Sequence, residues 1–134
     1  ISNDLTKNKK SGNVPYATLS VVEESPLEFG TIYAGSDDGN VWVTRNNGGN
    51  WTSLNAGLPA DRWVSSIAPS SHQEGVVYVT LNGYRNDEFN TYVYKSADYG
   101  KTWTAIKGNL PEESTNIIVE DKVNSSILYL GTDH

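Results

Sequence analysis

Cysteine and methionine are absent from this 134-residue sequence, and histidine occurs only at His72 and His134. Without cysteine, neither a disulfide framework nor a thiolate zinc site can form. Two histidines are also too few for a histidine metal cluster, so we expect no metal and no cofactor. Because methionine is missing altogether, we expect a processed chain or a piece of a longer one.

Positive charge is scarce as well. Ten Lys and Arg stand against sixteen Asp and Glu, which gives a net charge of -6. This balance argues against a nucleic-acid-binding groove and against a basic membrane-binding face. No run of 18 apolar residues occurs, so the sequence predicts no membrane insertion. The four Trp, eight Tyr and twelve Gly instead suit many short strands joined by tight turns.

Short runs of β-branched and aromatic residues predict strands, and Gly, Asn, Asp and Pro separate them. No long segment has the 3.6-residue period of a helix. The nine predicted strands are residues 18–23, 31–35, 41–44, 64–68, 76–81, 92–95, 102–106, 116–120 and 127–131. Between the second and third of these runs, SDDGN (36–40) is typical of an Asp-Gly hairpin turn rather than of a calcium loop.

An internal repeat organises these strands. Residues 40–59 align without gaps on residues 92–111, and six of the twenty positions are identical. A second pattern occurs three times: TIYAG, VVYVT and ILYLG align on Tyr33, Tyr78 and Tyr129. Four strands that repeat every 45 to 52 residues are the signature of a β-propeller blade. The second copy carries an insertion at 81–91.

The sequence therefore predicts an all-β fold, a partial β-propeller with two four-stranded blades and half of a third. We assign residues 1–14 to a lead-in, 15–59 to the first blade, 60–111 to the second and 112–134 to the half blade. An incomplete propeller leaves a strand edge and an apolar face uncovered. We therefore expect either self-association or further blades from the parent chain.

A short motif recurs at the turn between the third and fourth strands of each unit. SADYGKTW (96–103) matches the Asp-box, S/T-x-D-x-G-x-T-W, at every defined position, and TRNNGGNW (44–51) is a degraded copy in which Asn50 replaces the threonine. The defined positions are Ser96, Asp98, Gly100, Thr102 and Trp103 in the second unit, and Thr44, Asn46, Gly48 and Trp51 in the first.

The chemistry of the motif is local. We expect Ser96 and Asp98 to accept hydrogen bonds from backbone amides two or three residues further on. Gly100 allows a positive φ, and Trp103 is expected to anchor the turn to its own blade. This pattern favours a structural role for Asp98 over a catalytic one.

With this motif the sequence resembles the BNR/Asp-box repeat propellers, which include sialidases, xyloglucan-cleaving glycoside hydrolases, sortilin-like sorting receptors and a photosystem assembly factor. The second unit is similar to a blade of bacterial "glycosyl hydrolase, BNR repeat" proteins. The matching residues are Gly83, Arg85, Asp87, Glu88, Tyr92, Val93, Tyr94 and 108–111. The resemblance implies a secreted protein, extracellular or periplasmic. It does not by itself imply enzymatic activity.

The resemblance also implies where a ligand would bind. Propeller ligands lie on the face formed by the loops between the second and third strands and between successive blades. The insertion at 81–91 and the connection at 59–63 both fall there, which makes Arg62, Trp63, Tyr84, Arg85, Asp87 and Glu88 the candidate ligand-binding residues. Aromatic, arginine and carboxylate side chains together suit a sugar, provided that Trp63 and Tyr84 are exposed on the same face. The alternative is structural, with Arg85 paired to Asp87 or Glu88 and Trp63 in the core.

We therefore expect a fragment of a glycoside-hydrolase-like propeller that binds or processes a polysaccharide or oligosaccharide. No carboxylate spacing identifies a catalytic pair. A sialidase site needs three arginines, and of the three present Arg45 falls on the opposite face. Enzymatic activity thus stays open, and no catalytic residue is assigned. The alternatives are a non-catalytic, sortilin-like propeller that binds proteins or peptides, and a purely structural repeat.

Overall fold

Ten antiparallel strands form three sheets in the computed structural model, which describes residues 18–133. The first sheet contains β1 (Leu19–Glu24), β2 (Ile32–Ser36), β3 (Val41–Thr44) and β4 (Thr52–Ser53). The second contains β5 (Trp63–Pro69), β6 (Val77–Asn82), β7 (Tyr92–Ser96) and β8 (Thr104–Ala105). The third contains β9 (Thr115–Glu120) and β10 (Leu128–Thr132). The predicted lead-in, residues 1–14, and His134 lie outside the described residues.

Strand order follows chain order in each sheet, since every strand pairs with the next one along the chain. The predicted all-β fold, two four-stranded blades and half of a third, is confirmed. The fourth strands are shorter than the sequence suggested, because β8 covers only Thr104–Ala105 instead of 102–106. Trp103 therefore lies in the turn before β8 and not in the strand.

An apolar seam joins the first sheet to the second. It contains nine buried side chains, namely Tyr33, Val41, Val43, Leu54, Val64, Ile67, Val77, Val79 and Leu81. The two sheets approach so closely here that a Cβ atom on Gly35 would lie 2.5 Å from Val64 Cγ1. Burial of these side chains is the main force that holds the sheets together.

A second seam joins the second sheet to the third, around Val76, Tyr78, Val93 and Ile118. The repeated tyrosine takes the same position in both seams, since Tyr33 lies in the first and Tyr78 in the second. Tyr129, the third copy, is exposed on the far side of the third sheet, and Val22 is exposed on the near side of the first. Each outer face thus exposes a residue whose counterparts in the other units are buried in a seam.

The second turn (96–103) is closed by side-chain hydrogen bonds. Ser96 Oγ accepts from the Gly100 amide at 2.8 Å, and Asp98 Oδ1 accepts from the Thr102 amide at 2.9 Å. The Thr102 hydroxyl donates to Asp98 Oδ2 at 2.6 Å. Ser96 Oγ also accepts from the Asp98 amide at 3.2 Å, two residues on as predicted, whereas the bonds from Gly100 and Thr102 reach four residues along the chain. The reason is that Tyr99 and Gly100, with φ of 61° and 85°, curl the backbone back on itself.

The first turn (44–51) repeats this arrangement with neutral side chains. Thr44 Oγ1 accepts from the Gly48 amide at 2.9 Å, and Asn46 Oδ1 accepts from the Asn50 amide at 2.8 Å. Asn46 thus supplies the same acceptor as an aspartate would, but without the negative charge.

Trp103 links the second turn to the first sheet and packs on the seam to which both blades contribute, so the predicted anchor extends beyond its own blade. Its indole Nε1 donates to the Leu54 carbonyl at 2.9 Å, and its ring packs on the first seam. Gly100 also contacts Leu54, because a Cβ there would lie 2.4 Å from Leu54 Cδ1. The turn is therefore a joint between sheets as well as a hairpin closure.

We predict that Trp103→Phe lowers the free energy of unfolding by about 1–2 kcal/mol, since it removes the hydrogen bond to Leu54 and part of the packing. Trp51→Phe, the same change in the first turn, is the matched control, because Trp51 donates to no atom of residues 18–133. Urea denaturation followed by circular dichroism measures both. Equal losses in the two variants would contradict a joint at Trp103.

A second prediction concerns acid stability. Hydrogen bonds from the Thr102 side chain and amide, and then from Ser96, lower the pKa of Asp98 to about 2. A carboxyl group whose pKa is lowered on folding stabilises the protein above its unfolded pKa of about 4, and this contribution is lost between about pH 4 and pH 2. Asp98→Asn should therefore weaken the pH dependence of stability in this window. Urea denaturation between pH 6 and pH 2 tests this, and an unchanged acid limb would contradict it.

Candidate functional site

The loop between β6 and β7, residues 83–91, meets the connection that precedes β5 at one end of the sheets. Arg62 Nε donates to Glu88 Oε2 at 2.6 Å, which ties the two segments together. Glu88 also accepts from the Tyr92 hydroxyl and from Asn90. The hydrogen bond from Tyr92, followed by those from Arg62 and Asn90, lowers the pKa of Glu88, so this carboxylate stays ionised as a fixed acceptor.

Arg85 fastens the same loop to the first sheet. Its Nη1 lies 2.9 Å from Asp37 Oδ2, and its guanidinium carbon lies 5.6 Å from the centre of the Trp63 ring. The predicted alternative of a bond to Asp87 or Glu88 is wrong, because the loop turns Arg85 away toward the neighbouring blade. The Arg85 guanidinium faces Trp63, which is itself half-buried, so of the two aromatic residues whose exposure the sugar interpretation required only Tyr84 is exposed.

Asp37 belongs to a turn, Ser36–Asn40, whose acidic residues the sequence analysis did not assign to the site. Asp37 is buried and also accepts from the Thr18 amide at 2.8 Å. Its neighbour Asp38 is fully buried and accepts from Asn40 Nδ2 at 3.0 Å. The position of this turn could have indicated Asp37 from the sequence, because the turn follows the second strand of its blade as the 81–91 insertion does.

The remaining predicted residues are exposed. Tyr84 begins a single turn of 3-10 helix, Tyr84–Asn86, and its side chain is 62% exposed. Asp87 follows in a left-handed conformation with φ of 54°, and its carboxylate pairs with none of the other candidates. The structure thus joins Arg62 with Glu88 and Arg85 with Trp63, and it leaves Tyr84 and Asp87 at the surface.

Tyr84 has an aromatic partner that the sequence analysis missed. The ring centroids of Tyr84 and Phe89 lie 6.4 Å apart in an edge-to-face arrangement, and Phe89 is 54% exposed. The two rings form one wall of an open cleft of about 530 Å³. Its other lining residues are Glu112, Glu113, Ser114 and Asp133.

Ser114 stands out in this cleft. The residue is 1% exposed, and its hydroxyl has no hydrogen-bond partner among residues 18–133. Buried hydroxyls are normally satisfied, so this one is an exception, but it is closed off from the cleft and the exposed lining of the cleft comes from its neighbours. Glu112 pairs with Lys107, and Asp133 accepts from Asn116 at 2.7 Å. The repeat could have located this segment, because residues 112–114 occupy the position of residues 60–62 in the next unit, but it could not have indicated the burial of Ser114.

The side chains at this loop end suit a ligand that has polar groups as well as an apolar face. Exposed aromatic rings pack on the carbon face of a sugar, and carboxylate oxygens accept hydrogen bonds from its hydroxyls. Among the described residues no cluster of three or more His, Asp or Glu could hold a metal ion. Within the same part of the chain, the structure contains no helix that is both long and apolar enough to cross a membrane.

Comparison with known proteins supports the fold. No family model matches the chain, and no curated protein matches it. Among solved structures, an ancestral GH74 enzyme, a β-propeller glycoside hydrolase, is similar with a TM-score of 0.67 and 16% identity. The match covers 84% of this chain and 16% of the enzyme, so the chain spans a small part of that protein. At this identity the likeness establishes the propeller fold alone.

We predict that Glu88→Gln loosens the 83–91 loop without unfolding the sheets. The substitution removes the charge that Arg62 contacts, while the seams are untouched. Hydrogen exchange at the Asn86 and Asp87 amides, which donate to Gly83 and Tyr84 within the loop, should then be several-fold faster, and exchange in β6 should not change. Asp87→Asn, an exposed change in the same loop, is the control. Equal effects of the two variants would contradict the role of the Arg62–Glu88 pair.

Proposed function

We propose that this chain is part of a BNR/Asp-box propeller of the glycoside-hydrolase-like kind and that it binds carbohydrate at the loop end. The observation that carries the proposal is the cleft beside the loop, where the exposed rings of Tyr84 and Phe89 line the same space as the carboxylates of Glu112, Glu113 and Asp133. The similarity in fold to a propeller glycoside hydrolase supports it. The ligand would be an oligosaccharide or a polysaccharide.

Preorganisation supports the same conclusion. The loop that carries Tyr84 and Phe89 is fastened at two points, by Arg62 to Glu88 and by Arg85 to Asp37. A loop held in its bound shape loses little conformational entropy when a ligand arrives. Two aromatic rings on such a loop therefore form a platform of defined geometry. In this proposal Arg62, Arg85, Trp63 and Glu88 position the platform, and Tyr84 contacts the sugar.

We propose binding, and not hydrolysis, for this chain alone. Hydrolysis of a glycosidic bond requires a general acid and a second carboxylate on opposite sides of the scissile bond. Three carboxylates line the cleft, of which Glu112 pairs with Lys107 and Asp133 with Asn116, so Glu113 has no second free carboxylate beside it. Processing of a polysaccharide would thus be an activity of a larger protein, secreted to the cell exterior or the periplasm, in which further blades or further copies complete the propeller.

The test is a titration of the chain with xyloglucan, xylan and mixed-linkage β-glucan oligosaccharides, measured by isothermal titration calorimetry. We expect Tyr84→Ala and Phe89→Ala each to weaken binding by roughly fivefold, because each removes an aromatic contact of about 1 kcal/mol. Both side chains are exposed, so the melting temperature should change little. Phe29→Ala is the matched control, since Phe29 is 89% exposed at the opposite end of the sheets.

The proposal fails if no neutral oligosaccharide binds, or if Phe29→Ala weakens binding as much as Phe89→Ala does. Binding of an extended peptide that competes at Tyr84 would instead support the protein-binding alternative.

A further inference from the structure

A second cleft opens at the other end of the sheets, between the first turn (44–51) and the second turn (96–103). Its volume is about 250 Å³. Val43 and Leu54, both buried, form its floor, and Arg45, Asn46, Asn50 and Lys101 are among the residues of its walls. It lies across the first seam, since Arg45 belongs to one blade and Lys101 to the next. The proposed carbohydrate site does not use it.

Arg45 is held in position while remaining accessible. Its guanidinium lies 3.8 Å from the centre of the Tyr99 ring and 3.7 Å from Glu28 Oε1. The Tyr99 hydroxyl donates to the same Glu28 oxygen at 3.0 Å. The Arg45 side chain is nevertheless 54% exposed. A fixed and partly exposed guanidinium offers a planar pair of donors to an anion.

The degraded motif changes the charge of this cleft. In the second turn the third position is Asp98, a carboxylate, but in the first turn it is Asn46. Asn46 Oδ1 is occupied by the Thr44 hydroxyl and the Asn50 amide. Its Nδ2 is left as a donor, and it donates to no atom of residues 18–133. The wall of the cleft therefore carries a neutral hydrogen-bond donor at position 46, where an aspartate would place a negative charge.

We propose that this cleft binds a sugar acid with a single ring and that it recognises the carboxylate of that acid. Two cations and two amide side chains line it, and no carboxylate is among its lining residues. The apolar floor accommodates a carbon ring, and the volume is below that of a typical drug-sized pocket. Glu28 and Asp98 offset part of the positive charge of Arg45 and Lys101. We therefore expect weak binding, with an affinity that falls as salt is added.

The test is a calorimetric titration of the intact chain with D-galacturonate at low ionic strength. D-galactose, which lacks the carboxylate, and acetate, which lacks the ring, are titrated in parallel. We expect galacturonate to bind, galactose not to bind, and acetate to bind more weakly than galacturonate. Absence of galacturonate binding overturns the proposal, and equal affinity for acetate overturns the assignment of a ring-sized ligand.

Asn46→Asp is the decisive variant, because it restores the motif of the second turn and keeps the Oδ1 acceptor. It should fold at least as well as the natural chain and bind galacturonate at least about tenfold more weakly, as should Lys101→Gln. Asn109→Asp adds the same charge at an exposed position away from the cleft, and it should bind normally. Unchanged affinity in both Asn46→Asp and Lys101→Gln, or an equal loss in Asn109→Asp, overturns the proposal.

Discussion

Each sheet of this fold is stable only because it packs on the next one. A small four-stranded sheet has two faces and can bury an apolar face only against a neighbour. Here the first seam buries Tyr33, Val41 and Leu54 against the apolar side chains of β5 and β6. Trp103 adds a directional bond across this seam through its donation to the Leu54 carbonyl. The stability of each blade therefore depends on the presence of the other.

The seam also determines what lies at the two ends of the sheets. At the loop end, Arg85 of the second blade reaches Asp37 of the first. At the turn end, Tyr99 of the second blade reaches Glu28 of the first. Both contacts exist only because the sheets are held at one distance and one rotation. The two ends differ in chemistry, since one cleft combines aromatic rings with carboxylates and the other combines an arginine and a lysine with amides.

Repetition explains why so much of the fold could be predicted from the sequence. The alignment of Tyr33, Tyr78 and Tyr129 predicted three equivalent second strands, and all three are observed in that order. Pairing between strands that follow each other in the chain depends on local sequence, and each copy of the repeat gives the same evidence for it. Contacts between blades are different, because they depend on how the sheets rotate against each other. The partner of Arg85 and the carbonyl that Trp103 contacts could not be derived from spacing.

The candidate site could likewise be predicted from the sequence only in part. The meeting of Arg62 with residues of the 81–91 insertion was expected, because both segments leave their strands at the same end. Phe89 and Ser114 were missed, since neither belongs to a motif and Ser114 matters only through its burial without a partner. A buried hydroxyl is a property of the folded chain, and no pattern of residue types indicates it.

The most direct test of the account is to locate oligosaccharide binding on the folded chain. Two-dimensional NMR of the isotope-labelled protein during a titration with a neutral β-glucan oligosaccharide would do so. If the loop end binds the sugar, the amide signals of the 83–91 loop and of residues 112–114 shift, while those of the two turns at the opposite end do not. Shifts confined to those turns, or none at a saturating concentration, would contradict it.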